Sequence, residues 1–82
     1  MVEDSIGSMS DEGLATCVRV AMAKAGISNI AIGEALGRSV TSVVAYRNQG
    51  TRDKLVLGAI AKECGMSLAE MLSLTGSPVE KV

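Results

Sequence analysis

Along this chain a glycine is followed, at once or one residue later, by a hydroxyl: Gly26-Ile27-Ser28, Gly37-Arg38-Ser39, Gly50-Thr51 and Gly65-Met66-Ser67. Glycine ends helices in left-handed backbone, and a Ser or Thr oxygen opens the next helix by accepting from its first turn. The signal returns at intervals of 11 to 15 residues, which leaves room for short helices only. No period-two alternation of useful length competes with them. The expected fold is all-α, a compact bundle of five short helices.

The individual segments follow from capping and apolar spacing. A first helix is expected from Ser10 or Asp11, with acids in its first turn and Leu14, Cys17, Val18, Ala21 and Ala25 on one stripe. Gly26 ends it. Ser28 caps the second, Ile27 and Ile32 form a hydrophobic staple, and Gly37 stops it. Ser39 caps a third that closes around Asn48 to Gly50. Thr51 is expected to open a fourth through Val56, Leu57, Ile60, Ala61 and Cys64. Ser67-Leu68-Ala69-Glu70 is a capping box with Met66 and Met71 as its staple, and Gly76 and Pro78 end the last helix. Residues 1–9 lack periodicity and read as a flexible N-terminal arm, native or a cloning scar at Gly7-Ser8-Met9. The helical domain then spans 10–76, and 77–82 form a C-terminal tail.

At 82 residues the chain is one domain with a modest core. That core is aliphatic: Phe and Trp are absent and Tyr46 is the one aromatic residue. A single ring makes no platform for stacking unpaired bases, so any nucleic acid bound here is expected to be a duplex. The formal net charge is −1, but its distribution is uneven. Glu3, Asp4, Asp11 and Glu12 stand at the start without a base, whereas Arg38, Arg47, Arg52 and Lys54 gather against Asp53 alone. That cluster reads as a phosphate-binding patch or as a solvated surface.

Catalysis is not expected. The chain has no histidine, Glu12 and Glu34 have no catalytic partner, and no phosphate-cradling Gly-Lys loop occurs. Cys17 and Cys64 are too few and too far apart for a metal site and are expected to be free thiols, so neither metal nor cofactor is predicted. With no basic, apolar leader and no long apolar run, the expected location is cytoplasmic, away from the membrane.

The informative stretch is Asn29 to Gly50, NIAIGEALGRSVTSVVAYRNQG. A helix-turn-helix requires an apolar residue followed by a very small one where two helices cross, glycine at the turn, and apolar residues inside the second helix. Ile32 and Gly33 supply the pair, Leu36 and Gly37 the turn, and Val43 and Tyr46 the inner face. Arg38 stands where an apolar residue is more usual; its stem is able to lie over the core with its head toward phosphate.

Residues 27–74 resemble the DNA-binding domain of the Cro/cI phage repressor family, the XRE-type regulators. The likeness extends past the motif through Asn48-Gln49-Gly50, LVLGAIAKECG and the MSLAEML close at Met66 to Leu72. It implies a lambda-repressor-like fold whose second motif helix, residues 39–48, enters the major groove. Ser39, Val40, Thr41, Ser42, Val44 and Ala45 then meet base edges. Asn29, Arg38, Arg47, Asn48, Arg52 and Lys54 meet the phosphate backbone. The base-reading glutamines of the family are absent; Val40, Val44 and Ala45 suit thymine methyls instead, and the hydroxyls suit either base. A preference for T-containing steps and some reliance on DNA shape are expected.

The resemblance also implies a homodimer, and the apolar excess of the last helix, Leu68, Met71, Leu72 and Leu74 with Val79 beyond, is the expected interface. The expected function is a transcriptional regulator, most simply a repressor, of phage or prophage type. The alternative is a protein-interaction module on the same fold, an anti-repressor or antitoxin-like partner, in which Val40 and Val44 cover a protein.

Overall fold

A computed structural model describes residues 6–74, and all regular structure among them is helical. Five helices follow one another: α1 Asp11–Ala25, α2 Asn29–Leu36, α3 Val40–Gln49, α4 Lys54–Glu63 and α5 Leu68–Leu72. Residues 6–8 are also helical, so the expected five are joined by a further helical segment at the start.

Four of the five starts are built by the anticipated cap. The hydroxyls of Ser10, Ser28, Ser39 and Ser67 accept from the backbone N–H of Gly13, Ala31, Ser42 and Glu70, three residues on in each case. At α5 the capping box closes in both directions, with Ser67 N–H donating to Glu70 Oε1 at 3.2 Å and Glu70 N–H to Ser67 Oγ at 3.0 Å. One start moves. Thr51 does not open α4; its hydroxyl accepts from Asp53 N–H, and Asp53 Oδ1 then caps the helix by accepting from Leu55 N–H. Asp53 competes for the role because its carboxylate both caps and faces the positive end of the helix dipole. At the far end α5 stops at Leu72, with Ser73 as its cap. Gly76, Pro78 and the 77–82 tail lie outside the described residues.

The core is one cluster. Leu14, Cys17, Val18 and Ala21 of α1, Ile32 of α2, Val43 of α3, Leu57 and Ile60 of α4 and Met71 of α5 are all fully buried. Helix α1 runs through the middle, packing on α3, α4 and α5, while α2 packs on α3 and α4. Met22 completes the α1 stripe; Ala25, in the last helical position, is exposed.

Two glycines set how closely elements approach. A Cβ at Gly33 would stand 2.8 Å from the carbonyl oxygen of Arg38 and 3.7 Å from Val43 Cγ2. Only a hydrogen lets α2 lie that near the start of α3. Gly50, at φ 78 and ψ 175, sits tighter still against α1.

The arm expected over residues 1–9 is corrected for its last part. Ile6 is buried in the core and Met9 packs against it. Arg52 clasps this segment: Nη1 donates to Ile6 O at 2.8 Å, and Nη2 donates to Met9 O at 2.9 Å and to Asp11 Oδ1 at 2.8 Å. Replacing Arg52 by Gln is expected to cost about 1–3 kcal/mol, since charge-assisted hydrogen bonds are lost while the exposed ion pair adds little. Urea unfolding measures it; unchanged stability would show that the clasp holds nothing.

Candidate nucleic-acid interface

The two helices of the motif are held by a turn that the sequence specifies closely. Gly37 adopts φ 68 and ψ 35, and Arg38 N–H donates to Gly33 O at 2.8 Å, closing α2 before the chain re-enters helix at Val40. With Val43 driven into the core, the helical period turns the opposite face of α3 to solvent. Val40 is 44% exposed and Val44 37%, and Thr41 beside them is exposed. Ala45 is half-buried. Ser39 and Ser42 are already engaged: Ser39 Oγ accepts from Ser42 N–H, and the two hydroxyls are 3.2 Å apart. Their first task is holding the helix start.

The six expected phosphate-contacting residues divide into two groups. Arg38, Asn48 and Lys54 are exposed; Arg38 Nη1 also donates to Tyr46 Oη at 3.3 Å, which lays its stem along the edge of the core. Arg52 is turned to the N-terminal segment and to Asp11, so its assignment to phosphate is corrected: its guanidinium holds the fold together. Arg47 is half-buried and donates through Nη1 to Asn29 Oδ1 at 2.9 Å, while its buried Nε has no partner among the described residues. Asn29 and Arg47 thus meet each other. Arg47 keeps its charge beside the neutral amide, Arg52 is offset by Asp11, and Asn48 borders a shallow groove that also carries Asp11 and Glu12.

Sequence reasoning missed Arg19. Its Nη1 donates to the carbonyl oxygen of Arg47 and its Nη2 to Thr16 Oγ1 at 3.0 Å, tying α1 to the end of α3. A lone base flanking an apolar stripe, with a hydroxyl three residues before it, was the available signal. Also unanticipated is Leu55, 83% exposed at the start of α4, beside a groove lined by Ala35, Leu36, Val56 and Ala59.

The expected dimer face is corrected at Met71 and Leu72. Met71 is fully buried and Leu72 is 7% exposed, while Leu68 and Leu74 pack, half-buried, on the core. The amphipathic period of a five-residue helix is too short to show that nearly all its apolar positions are consumed internally. Among the described residues, Ile30, at 60% exposure, Val40, Val44 and Leu55 are the large apolar residues that remain at the surface.

Burial pushes the Cys17 thiol up to about 11, and Cys64 is raised as well, by burial and then by the charge of Glu63. Both are free and protonated at neutral pH. Among the described residues no three of His, Cys, Asp and Glu gather to hold a metal, and no helix is long and apolar enough to cross a membrane. No family model, curated protein or solved structure matches the chain.

Proposed function

We propose that the chain is a sequence-specific duplex-DNA-binding transcriptional regulator with a lambda-repressor-like fold, acting as a Cro/cI-type repressor by occupying its operator. The observation that carries this reading is the outer face of α3. Val40, Thr41 and Val44 stand at the surface of a helix that is locked to the core by Val43 and whose neighbour α2 approaches to glycine distance. Rigid placement of methyl-bearing side chains along one helix suits thymine methyls in a major groove. Arg38 and Lys54, both exposed, supply cations near the two ends of the same segment. The role is one of binding rather than catalysis, in the cytoplasm and without a cofactor.

A pair of copies would present two such helices about 34 Å apart on a two-fold site. If each meets about four phosphates, the logarithm of affinity falls with the logarithm of salt at a slope near roughly −7. The test is selection of bound duplexes from a random pool at about 150 mM salt, near physiological ionic strength. Enrichment of a two-fold, T-containing site is the expected result; no enrichment overturns the reading.

A second reading is favoured by a specific observation. Two of the four local arginine and lysine side chains are engaged by other groups of the fold, and the surface carries Ile30, Val40, Val44 and Leu55. Those features suit a protein-interaction module on the same fold, an anti-repressor or antitoxin-like partner. Failed selection together with a stable protein complex lost on Val44→Asp would support it.

A further inference from the structure

The outer surface of α2 and α4 carries little charge for two helices that face solvent. Glu34 is the one charged residue in the eight of α2, and Ile30, Ala31 and Ala35 around it are exposed. On α4, Leu55 is 83% exposed and borders a groove of about 270 Å³ that is also lined by Ala35, Leu36, Arg38, Val56 and Ala59. A single exposed leucine is ordinary. This one stands at the edge of an open apolar slot and does not fold down into it.

Helical spacing makes that surface fit itself. Leu55 and Ala59 are four residues apart on α4 and share a face, so a large side chain stands one turn from a small one. A two-fold axis through the groove sets Leu55 of one copy over Ala59 of the other, and the reverse. An isologous contact requires that reciprocity, residue i meeting j while j meets i. The slot suits a side chain better than a free ligand, since drug-sized molecules take enclosed sites of about 300–1,000 Å³. Charge fits the same arrangement. Arg38 is exposed at the groove and spends one donor on Tyr46 Oη, with others of its five left over. Glu34, one turn before it, is exposed and has no ion pair among the described residues.

We infer that this face binds a second copy of the chain: Leu55 of each copy enters the groove between α2 and α4 of the other, with Arg38 against Glu34 across the two-fold axis. The inference goes beyond the duplex-binding reading and needs no nucleic acid. It places the contact between copies on α2 and α4 rather than on α5, whose Met71 and Leu72 are buried. The patch is small, so association is weak and reversible.

Sedimentation equilibrium of the full chain without nucleic acid, from about 1 μM to 1 mM, covers the dissociation constants of a contact this small. A monomer–dimer equilibrium with a Kd of about 100 μM or tighter is expected. Leu55→Ser should weaken it at least about tenfold, because an apolar side chain is lost from both slots. Its melt at about 1 μM, where the copies are apart, should match that of the unsubstituted chain. Glu34→Arg and Arg38→Glu should each weaken association about tenfold by setting like charges across the axis, and the double reversal should restore it.

A chain that stays monomeric at about 1 mM overturns the inference. So does association that Leu55→Ser leaves intact, or a double reversal as weak as either single variant, since both put the contact elsewhere. Because no duplex is present, failed selection from the random pool sinks the duplex reading alone, and monomeric behaviour sinks this inference alone.

Discussion

Gly50→Ala should lower the melting temperature by about 10–40 °C, the loss of about 2–6 kcal/mol in a domain of this size. Two costs add. The residue sits at φ 78 and ψ 175, a region that is essentially reserved for glycine, and forcing a side chain into it costs about 1–3 kcal/mol. A Cβ there would also stand 2.7 Å from Asp11 O, 2.9 Å from Ala15 N and 2.9 Å from Leu14 Cβ. Two of those atoms are backbone, so relief requires α1 to move, at about 1–3 kcal/mol more. Native stability for a chain of this length is about 4–12 kcal/mol, so the substitution threatens folding outright. Gly58→Ala is the control: nothing lies within 4 Å of its Cβ, it is inside α4, and it is expected to stabilise by about 0.5–1 kcal/mol. A Gly50→Ala melt within a degree or two of the native chain would mean that α1 and the end of α3 do not meet as described.

Met71→Ala should cost about 2–5 kcal/mol, the usual range for emptying a buried methionine site. Met71 is fully buried among side chains of a single copy, with α5 packed on both α1 and α4. The loss must then be the same at any protein concentration. A subunit-contact residue behaves otherwise, because dimer stability follows mass action. Thermal melts at two concentrations a hundredfold apart separate the cases. A deficit that grows on dilution would return Met71 to an interface. Leu55→Ser, at 83% exposure, serves as the comparison and should leave the melt of an isolated copy nearly unchanged.

Much of the fold was legible before any coordinates because its signals are local. A serine cap, a left-handed glycine and a capping box each involve residues three or four apart, so spacing alone reports them. Four of the five helix starts and the turn at Gly37 follow the pattern for that reason. Gly33 was also readable, as the small residue that a close helix crossing demands, and Val43 as the residue facing inward from α3. The exposure of Thr41 follows from Val43 by the helical period, whereas that of Val40, one turn before Val43, reflects its place at the start of α3. The shift of the α4 start from Thr51 to Asp53 was the local exception, where two capping residues stood in competition.

What only the tertiary structure decided is where long side chains reach and how much apolar surface is used up. Arginine spans several directions from one Cα, and charge counts say nothing of which it takes. Arg52 reaches back to Ile6, Met9 and Asp11, Arg47 to Asn29, and Arg19 to the Arg47 carbonyl; the partners lie 18 to 46 residues away in sequence. Burial of Met71 and Leu72 likewise depends on α1 and α4 closing over them, and the docking of Ile6 on a clasp whose donor lies beyond α3. Short-range backbone chemistry was written in neighbouring residues, whereas the allocation of cations and of apolar surface was settled by which distant elements came to lie against each other.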